Sequence, residues 1–311
     1  MPKIDAVVNL IRAIGANDQS LMKKIVEQMI ANERESNHKT SAQKLEYALR
    51  NWPIVLKELP HNLKNIVWPE TNVRKLSELL LDHSILSSIE FLLRERNSFE
   101  RLHEAGLSVR KSILLAGPPG NGKTSLASAL ANELGLQFIS VKMHGLIDSH
   151  LGESGRNIGQ VFDFASTNEC LLFIDEIDAI GSKRGGNNGA EKEYNNIVTI
   201  LLANMDRLPD SCLLIAATNM PDAIDPAIRR RFDLKVWLNS PNDAQIERYI
   251  SQYENCRRIN FEIPIEDMVT SLHGKPWSEI ELVCMDQHKK QILGEQVMTS
   301  DWIGRHQELA I

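Results

Sequence analysis

The residues with the clearest chemical meaning are Gly117-Pro118-Pro119-Gly120-Asn121-Gly122-Lys123-Thr124. Their spacing is G-x-x-x-x-G-K-[ST], set between an apolar run ending at Ala116 and a helical stretch over Ser125–Leu134. In that setting the glycines let backbone N–H groups curl around phosphate oxygens, and the helix start that includes Ser125 adds partial positive charge. Lys123 is placed to reach the β- and γ-phosphates of a nucleoside triphosphate, and the Thr124 hydroxyl to hold Mg2+. A chance glycine-rich turn would not require both a strand before it and a helix after it, and both are present.

Three further constellations follow in order. Leu171-Leu172-Phe173-Ile174 reads as a buried strand with Asp175 and Glu176 emerging at its C-terminal end, where ligands bind in open α/β sheets. Asp175 suits the metal shell and Glu176 suits polarisation of an attacking water; a pair of helix-capping acids is the plainer alternative. Ala216-Ala217-Thr218-Asn219 is a second strand ending in polar residues. Asn219 could orient the same water and sense the γ-phosphate, and taken alone it is a turn residue. Arg229-Arg230-Arg231 precedes another strand. Such a run is commonly a solvated loop, but arginine supplied by a neighbour also stabilises phosphoryl transfer.

The elements that must position these groups follow from hydrophobic periodicity. Ile113–Ala116, Phe138–Val141, Leu171–Ile174, Leu213–Ala217 and Leu234–Leu238 are short apolar runs alternating with amphipathic helices, which predicts a parallel five-stranded α/β sheet flanked by helices. Ala244–Gln252, Ile265–Ser271 and Ser278–Leu293 predict a small C-terminal helical lid. Near the start, Ile4, Val7, Val8, Ile11 and Ile14 form one apolar stripe and Leu21, Ile25, Val26, Met29 and Ile30 a second, with a third short helix around Leu45, Ala48 and Leu49. The expected division is a helical N-terminal adaptor bundle over 1–52, a linker and helical segment over 53–104 with helix over 73–97, a nucleotide-binding α/β part over 105–240, and the lid over 241–311.

Composition narrows the function classes. The 311 residues carry a formal net charge of −6, which disfavours nucleic acid as the main partner because phosphate backbones call for a basic surface. Cys170, Cys212, Cys256 and Cys284 are far apart with no C-x-x-C pair, arguing against a zinc site or disulfide framework. No apolar run approaches the ~18 residues of a membrane span, and the first residues lack a signal-peptide core. A cytoplasmic protein without membrane contact is the expectation.

The four motifs, in this order, resemble the AAA ATPases of the AAA+ superfamily over residues 105–293, and Leu213–Asp233 looks like the second region of homology that marks them. The resemblance implies a P-loop AAA+ fold, ATP and Mg2+ as cofactors, ATP hydrolysis, and a homo-oligomeric ring, commonly a hexamer, acting on a protein substrate or partner enzyme. Asp225-Pro226-Ala227-Ile228-Arg229-Arg230-Arg231-Phe232 is closest to the katanin- and spastin-like group. By that likeness Arg229 and Arg230 act as fingers on the neighbouring subunit's nucleotide. His150-Leu151-Gly152-Glu153-Ser154 matches the family's substrate-gripping pore loop with histidine in place of an aromatic residue, and Lys183–Asn195 would be the second pore loop. His273 and Gly274 fit the adenine-side lip of the lid, while Trp277 stands where the family has a small residue. The stretch around Leu10-Ile11-Arg12-Ala13, with Glu33 and the helix over 42–49, looks like small bacterial AAA ATPases encoded beside subtilisin-like proteases, a group linked to antiviral defence.

Two readings follow: a motor that remodels or threads a protein, and a nucleotide-dependent switch that controls a partner effector, such as a defence protease, through the N-terminal helices. A DNA-directed loader is the least favoured, given the acidic charge.

Overall fold

Four of the five apolar runs become strands buried on both faces and so read as near-continuous hydrophobic segments, while the last, at the sheet edge, exposes Lys235 and Trp237. In the computed structural model, which describes residues 4–15, 19–36, 38, 40–42, 44–45, 67–68, 74–147, 154–183 and 188–294, the strands are β1 (Val67–Trp68), β2 (Ser112–Ala116), β3 (Gln137–Lys142), β4 (Cys170–Asp175), β5 (Leu213–Thr218) and β6 (Leu234–Trp237). The spatial order is β1-β3-β4-β5-β2-β6. The five predicted strands are mutually parallel. The addition is β1, which lies in the stretch expected to be irregular and pairs antiparallel with β3 at the sheet edge.

The chain divides into two compact units, 1–57 and 58–311. In the first, α1 (Ile4–Gly15) and α2 (Gln19–Glu35) meet through Ala13, Met22, Ile25 and Met29, with Ala6, Leu10 and Leu45 against them. This corrects the expected stripe: Val7, Val8, Ile11 and Ile14 are exposed. The helix is apolar on more than one face, and its contact with α2 uses Ala6, Leu10 and Ala13. Ala48 and Leu49 lie outside the described residues.

In the second unit, helices α3 (His83–Asn97), α4 (Phe99–Glu104), α5 (Lys123–Leu134), α6 (Met143–Ile147), α7 (Ser154–Thr167), α8 (Asn188–Arg207) and α9 (Pro226–Arg230) accompany the sheet, and α10 (Asp243–Arg257), α11 (Ile265–Leu272) and α12 (Trp277–Leu293) follow it. Successive strand residues point to opposite faces. Leu172, Ile174, Leu214 and Ala216 pack with Ile158, Phe162, Ile197 and Leu201 of α7 and α8. Leu171, Phe173, Leu213 and Ile215 pack with Ile89 and Leu92 of α3 and with Leu126 and Leu130 of α5. The three C-terminal helices close on their own core of Ile246, Ile250, Met268, Leu272 and Ile280.

The continuous helix expected over 73–97 is not observed. Leu76–Glu78 form one 3-10 turn, and α3 starts only at His83, after Asp82 in extended conformation. Leu79, Leu80 and Leu81 between them instead wall the cavity described below. Among the described residues no helix is long and apolar enough to cross a membrane.

Candidate active site

The strand order puts the C-terminal ends of β4, β5 and β2 side by side, so Asp175, Asn219 and the loop after Ala116 share one edge of the sheet. That edge is where an open α/β sheet binds its ligand. The loop over 117–122 leads into α5, which starts at Lys123. Two of its glycines are dictated by close approach. A Cβ on Gly117 would lie 2.2 Å from the Leu238 carbonyl oxygen, and one on Gly120 would lie 2.3 Å from Ser278 Oγ. Both have positive φ, 144° and 76°, a region that side chains disfavour.

Lys123 is buried, and its ammonium donates to Gly117 O at 2.7 Å, Pro118 O at 2.9 Å and Asn219 Oδ1 at 2.7 Å. Burial lowers its pKa from the ordinary lysine value, against the opposing pull of Asp175 and Asp178. The loop lysine and the residue that follows β5 are therefore in direct contact. Thr218, next to Asn219, donates to Asp178 Oδ1 at 2.6 Å and accepts from the Met220 N–H at 2.9 Å, which fixes the turn that carries Asn219. Asp178 did not stand out in the sequence, because a short Asp side chain after a strand is usually a local turn or cap, and Thr218 was legible only as part of a polar strand end.

Asp175 ends β4 and accepts the Glu176 N–H at 2.9 Å. Its pKa is raised by burial first, an effect partly offset by that N–H. Glu176 sits at φ 54°, one of two non-glycine residues with positive φ among those described. Its side chain is 43% exposed, and Oε2 lies 3.8 Å from Nε2 of His144 on α6. A left-handed glutamate costs of order 1–2 kcal/mol, and such strain gathers at functional sites.

Lys123, Asp175, Glu176 and Asn219 line one cavity of about 370 Å³ that also includes Thr124, Ser125 and Asn121. The far side of the cavity was not legible as a motif: Arg74, Glu78 and Leu79–Leu81 form one wall, and Tyr249, Trp277, Ser278 and Glu281 the other. Trp277 belongs to the core of the C-terminal helices and meets Tyr249 edge-on at 5.5 Å. Two residues singled out in the sequence lie off this wall. His273 Nδ1 is 2.7 Å from Asp243 Oδ1 at the surface, and Gly274 follows it at φ 74°. His150 and Leu151 lie outside the described residues, as do 184–187 of the second candidate pore loop.

The three arginines diverge. Asp225 caps α9 by accepting the Ala227 N–H at 2.8 Å, and Pro226 opens the helix. Arg231 forms a bidentate pair with Asp206 at 2.7 and 3.1 Å. Arg229 is 3.7 Å from Asp222, and Arg230 is exposed, with no ion pair to another described residue. None of the three lines the cavity of its own chain.

The cavity fits Mg2+ and a nucleoside triphosphate. It offers one buried cation held by a close-approach glycine loop, with a hydroxyl from Thr124 and a carboxylate from Asp175 as hard oxygen donors. When bound, the metal would neutralise charge on the phosphates and orient them.

Comparison with known proteins agrees. The profile of the ATPase family associated with various cellular activities (AAA) matches residues 113–240. The chain is 31% identical over 303 residues to an uncharacterized AAA family ATPase, y4kL, of Sinorhizobium fredii, covering 94% of this chain and 90% of that one. It is 32% identical over 243 residues to the cell division cycle protein 48 homolog of Archaeoglobus fulgidus, covering 76% of this chain and 32% of the relative. It is 40% identical over 162 residues to the 26S proteasome subunit RPT4 of Saccharomyces cerevisiae, covering 50% of this chain and 36% of the relative. The chain thus spans about a third of these two longer proteins. The motif order, the sheet edge that gathers the motifs and the near full-length likeness lead to one conclusion: the chain belongs to the AAA family, and is an ATPase that works on ATP with Mg2+.

Proposed function

We propose that copies of this chain assemble into a ring, commonly six in this family, and that ATP turnover in the ring remodels or threads a protein substrate or partner. Residues 105–240 would form the nucleotide-binding part, 241–311 its lid, 53–104 the linker and 1–52 an adaptor. Lys123 and the 117–125 loop hold the phosphates, Thr124 and Asp175 hold Mg2+, Glu176 activates water, and Asn219 orients it.

One observation supports the ring above the others. Arg230 is exposed on α9 without an ion pair among the described residues, and neither it nor Arg229 lines its own cavity. A guanidinium of this kind serves phosphoryl transfer only in a neighbour's site. The test is sedimentation velocity of Glu176→Gln protein with ATP and Mg2+. A ring that forms with ATP and dissociates without it supports the reading, and a monomer at every concentration overturns it.

The second reading is a nucleotide-dependent switch acting on a partner effector through residues 1–52. It is favoured by the exposure of Val7, Val8, Ile11 and Ile14 on α1. His150→Ala separates the two: a threading motor loses substrate remodelling and keeps basal ATPase, whereas a docking switch is unaffected. A DNA-directed role fits poorly with a net charge of −6.

A further inference from the structure

Two charged residues outside the four motifs also line the cavity that takes the nucleotide. Arg74 lies on the segment that continues through Glu78 to Leu81, one wall of the cavity, and Glu281 lies on α12, in the other wall. Arg74 Nη1 is 2.8 Å from Glu281 Oε1, and Nη2 donates to Oε2 at 3.2 Å. This is the two-pronged geometry that guanidinium and carboxylate favour. Both side chains are partly exposed, 46% and 32%, so the pair stands at the edge of the cavity and not in its floor.

The rest of α12 explains why this contact matters. Its start is fixed to the phosphate loop: the Ser278 N–H donates to Gly120 O at 3.0 Å, and the Trp277 N–H faces Asn121 Oδ1 at 3.4 Å. Residues three and four apart share one helix face, so Glu281 stands directly above Ser278 and Trp277, one turn further from the loop. The helix is thus held at its root by backbone bonds and at the next turn by a single ion pair. Tyr249, on α10, lines the same wall, and burial followed by the nearby Glu281 carboxylate raises its pKa, keeping it a neutral phenol. Arg74–Glu281 is the ion pair between the two walls, beside the hydrogen bond from Gln245 Nε2 to Asp82 Oδ1 at 3.0 Å, so loss of the pair leaves the walls easier to part.

We propose that Arg74 and Glu281 form a clasp across the nucleotide cleft that sets how long a nucleotide stays bound. The inference rests on the assignment of this cavity as the ATP site. Both are positioning residues: they hold the walls together and take no part in bond breaking.

The test is stopped-flow release of a fluorescent ADP from the full chain, with Arg74→Ala, Glu281→Ala, the double variant, and the reversed pair Arg74→Glu with Glu281→Arg. Each single variant should release about 1.5- to fivefold faster, as expected for one partly exposed bidentate pair. The double variant should be no faster than either single one, because all three lose the same contact. The reversed pair should restore slow release, which tells a clasp from a residue needed only for folding. Raising salt should speed release more in the original protein than in the alanine variants, which have no clasp left to screen. Normal binding with release unchanged in both single variants overturns the clasp alone, as do additive effects in the double variant. Failure of the original protein to bind the fluorescent nucleotide at all overturns the cavity assignment and the clasp with it.

Discussion

Lys123→Ala removes the one buried ammonium of the cleft, and the structure sets the size of its effect. All three donors of that ammonium are engaged, with Gly117 O at 2.7 Å, Pro118 O at 2.9 Å and Asn219 Oδ1 at 2.7 Å. To meet a phosphate oxygen Lys123 must give one of them up. The side-chain contact with Asn219 is the one free to change, since the other two acceptors are backbone of the loop itself. Hydrogen bonds to charged groups contribute about 1.5–3 kcal/mol, and bonds between two ionised partners are the stronger ones. One bond between two ionised partners in exchange for the one to the neutral Asn219 amide leaves a net gain of about 1–2 kcal/mol, roughly five- to thirtyfold in Kd. Calorimetric titration of Lys123→Ala with a non-hydrolysable ATP analogue and Mg2+ should show that weakening. Asn219→Ala should bind as tightly as the original protein or more so, because it frees Lys123, and should still hydrolyse slowly. A Kd within about twofold of the original for Lys123→Ala, or an equal loss of affinity in Asn219→Ala, would refute the exchange.

Other outcomes are open to direct measurement. Phe173→Ala, at the centre of β4, removes a fully buried ring stacked on Phe138 at 5.7 Å. It should cost about 3–5 kcal/mol in denaturant unfolding, and a loss below about 1 kcal/mol would mean that the core does not close there. Arg231→Ala breaks the bidentate pair with Asp206 and should lower hydrolysis less than Arg230→Ala in steady-state assays; the reverse ranking would place the finger at Arg231. Burial holds Lys123 below the ordinary lysine pKa, so its charge is lost as pH rises through the lowered value. The alkaline limb of kcat/KM should therefore fall below pH 10.5, and a profile flat up to that value would contradict the burial.

How much of this was legible in the sequence depended on range. The phosphate loop, Asp175, Asn219 and the five parallel strands could be read because each is a local pattern: an apolar run followed by residues with one kind of chemistry. The far side of the cleft could not. Arg74 and Glu281 are 207 residues apart and carry no spacing signal, so only the folded chain brings them together. Leucines at 76, 79 and 80 suggested a helix by their spacing, yet 79–81 stay outside any helix and line the cavity. The stripe on α1 misled for the opposite reason: more than one face is apolar, and periodicity alone does not say which one α2 covers. Glu176 was legible by type, but its left-handed backbone and its approach to His144 were not.

The central claim is that the water-activating carboxylate and the arginine fingers of one active site come from different copies of the chain. Mixing inactive Glu176→Gln protein with inactive Arg230→Ala protein tests it most directly. At interfaces where an Arg230→Ala copy keeps Glu176 and its neighbour supplies Arg230, ATPase activity should return and peak near equal amounts of the two. Activity that never exceeds the sum of the separate proteins, at any ratio under conditions where subunits exchange, would contradict the shared site.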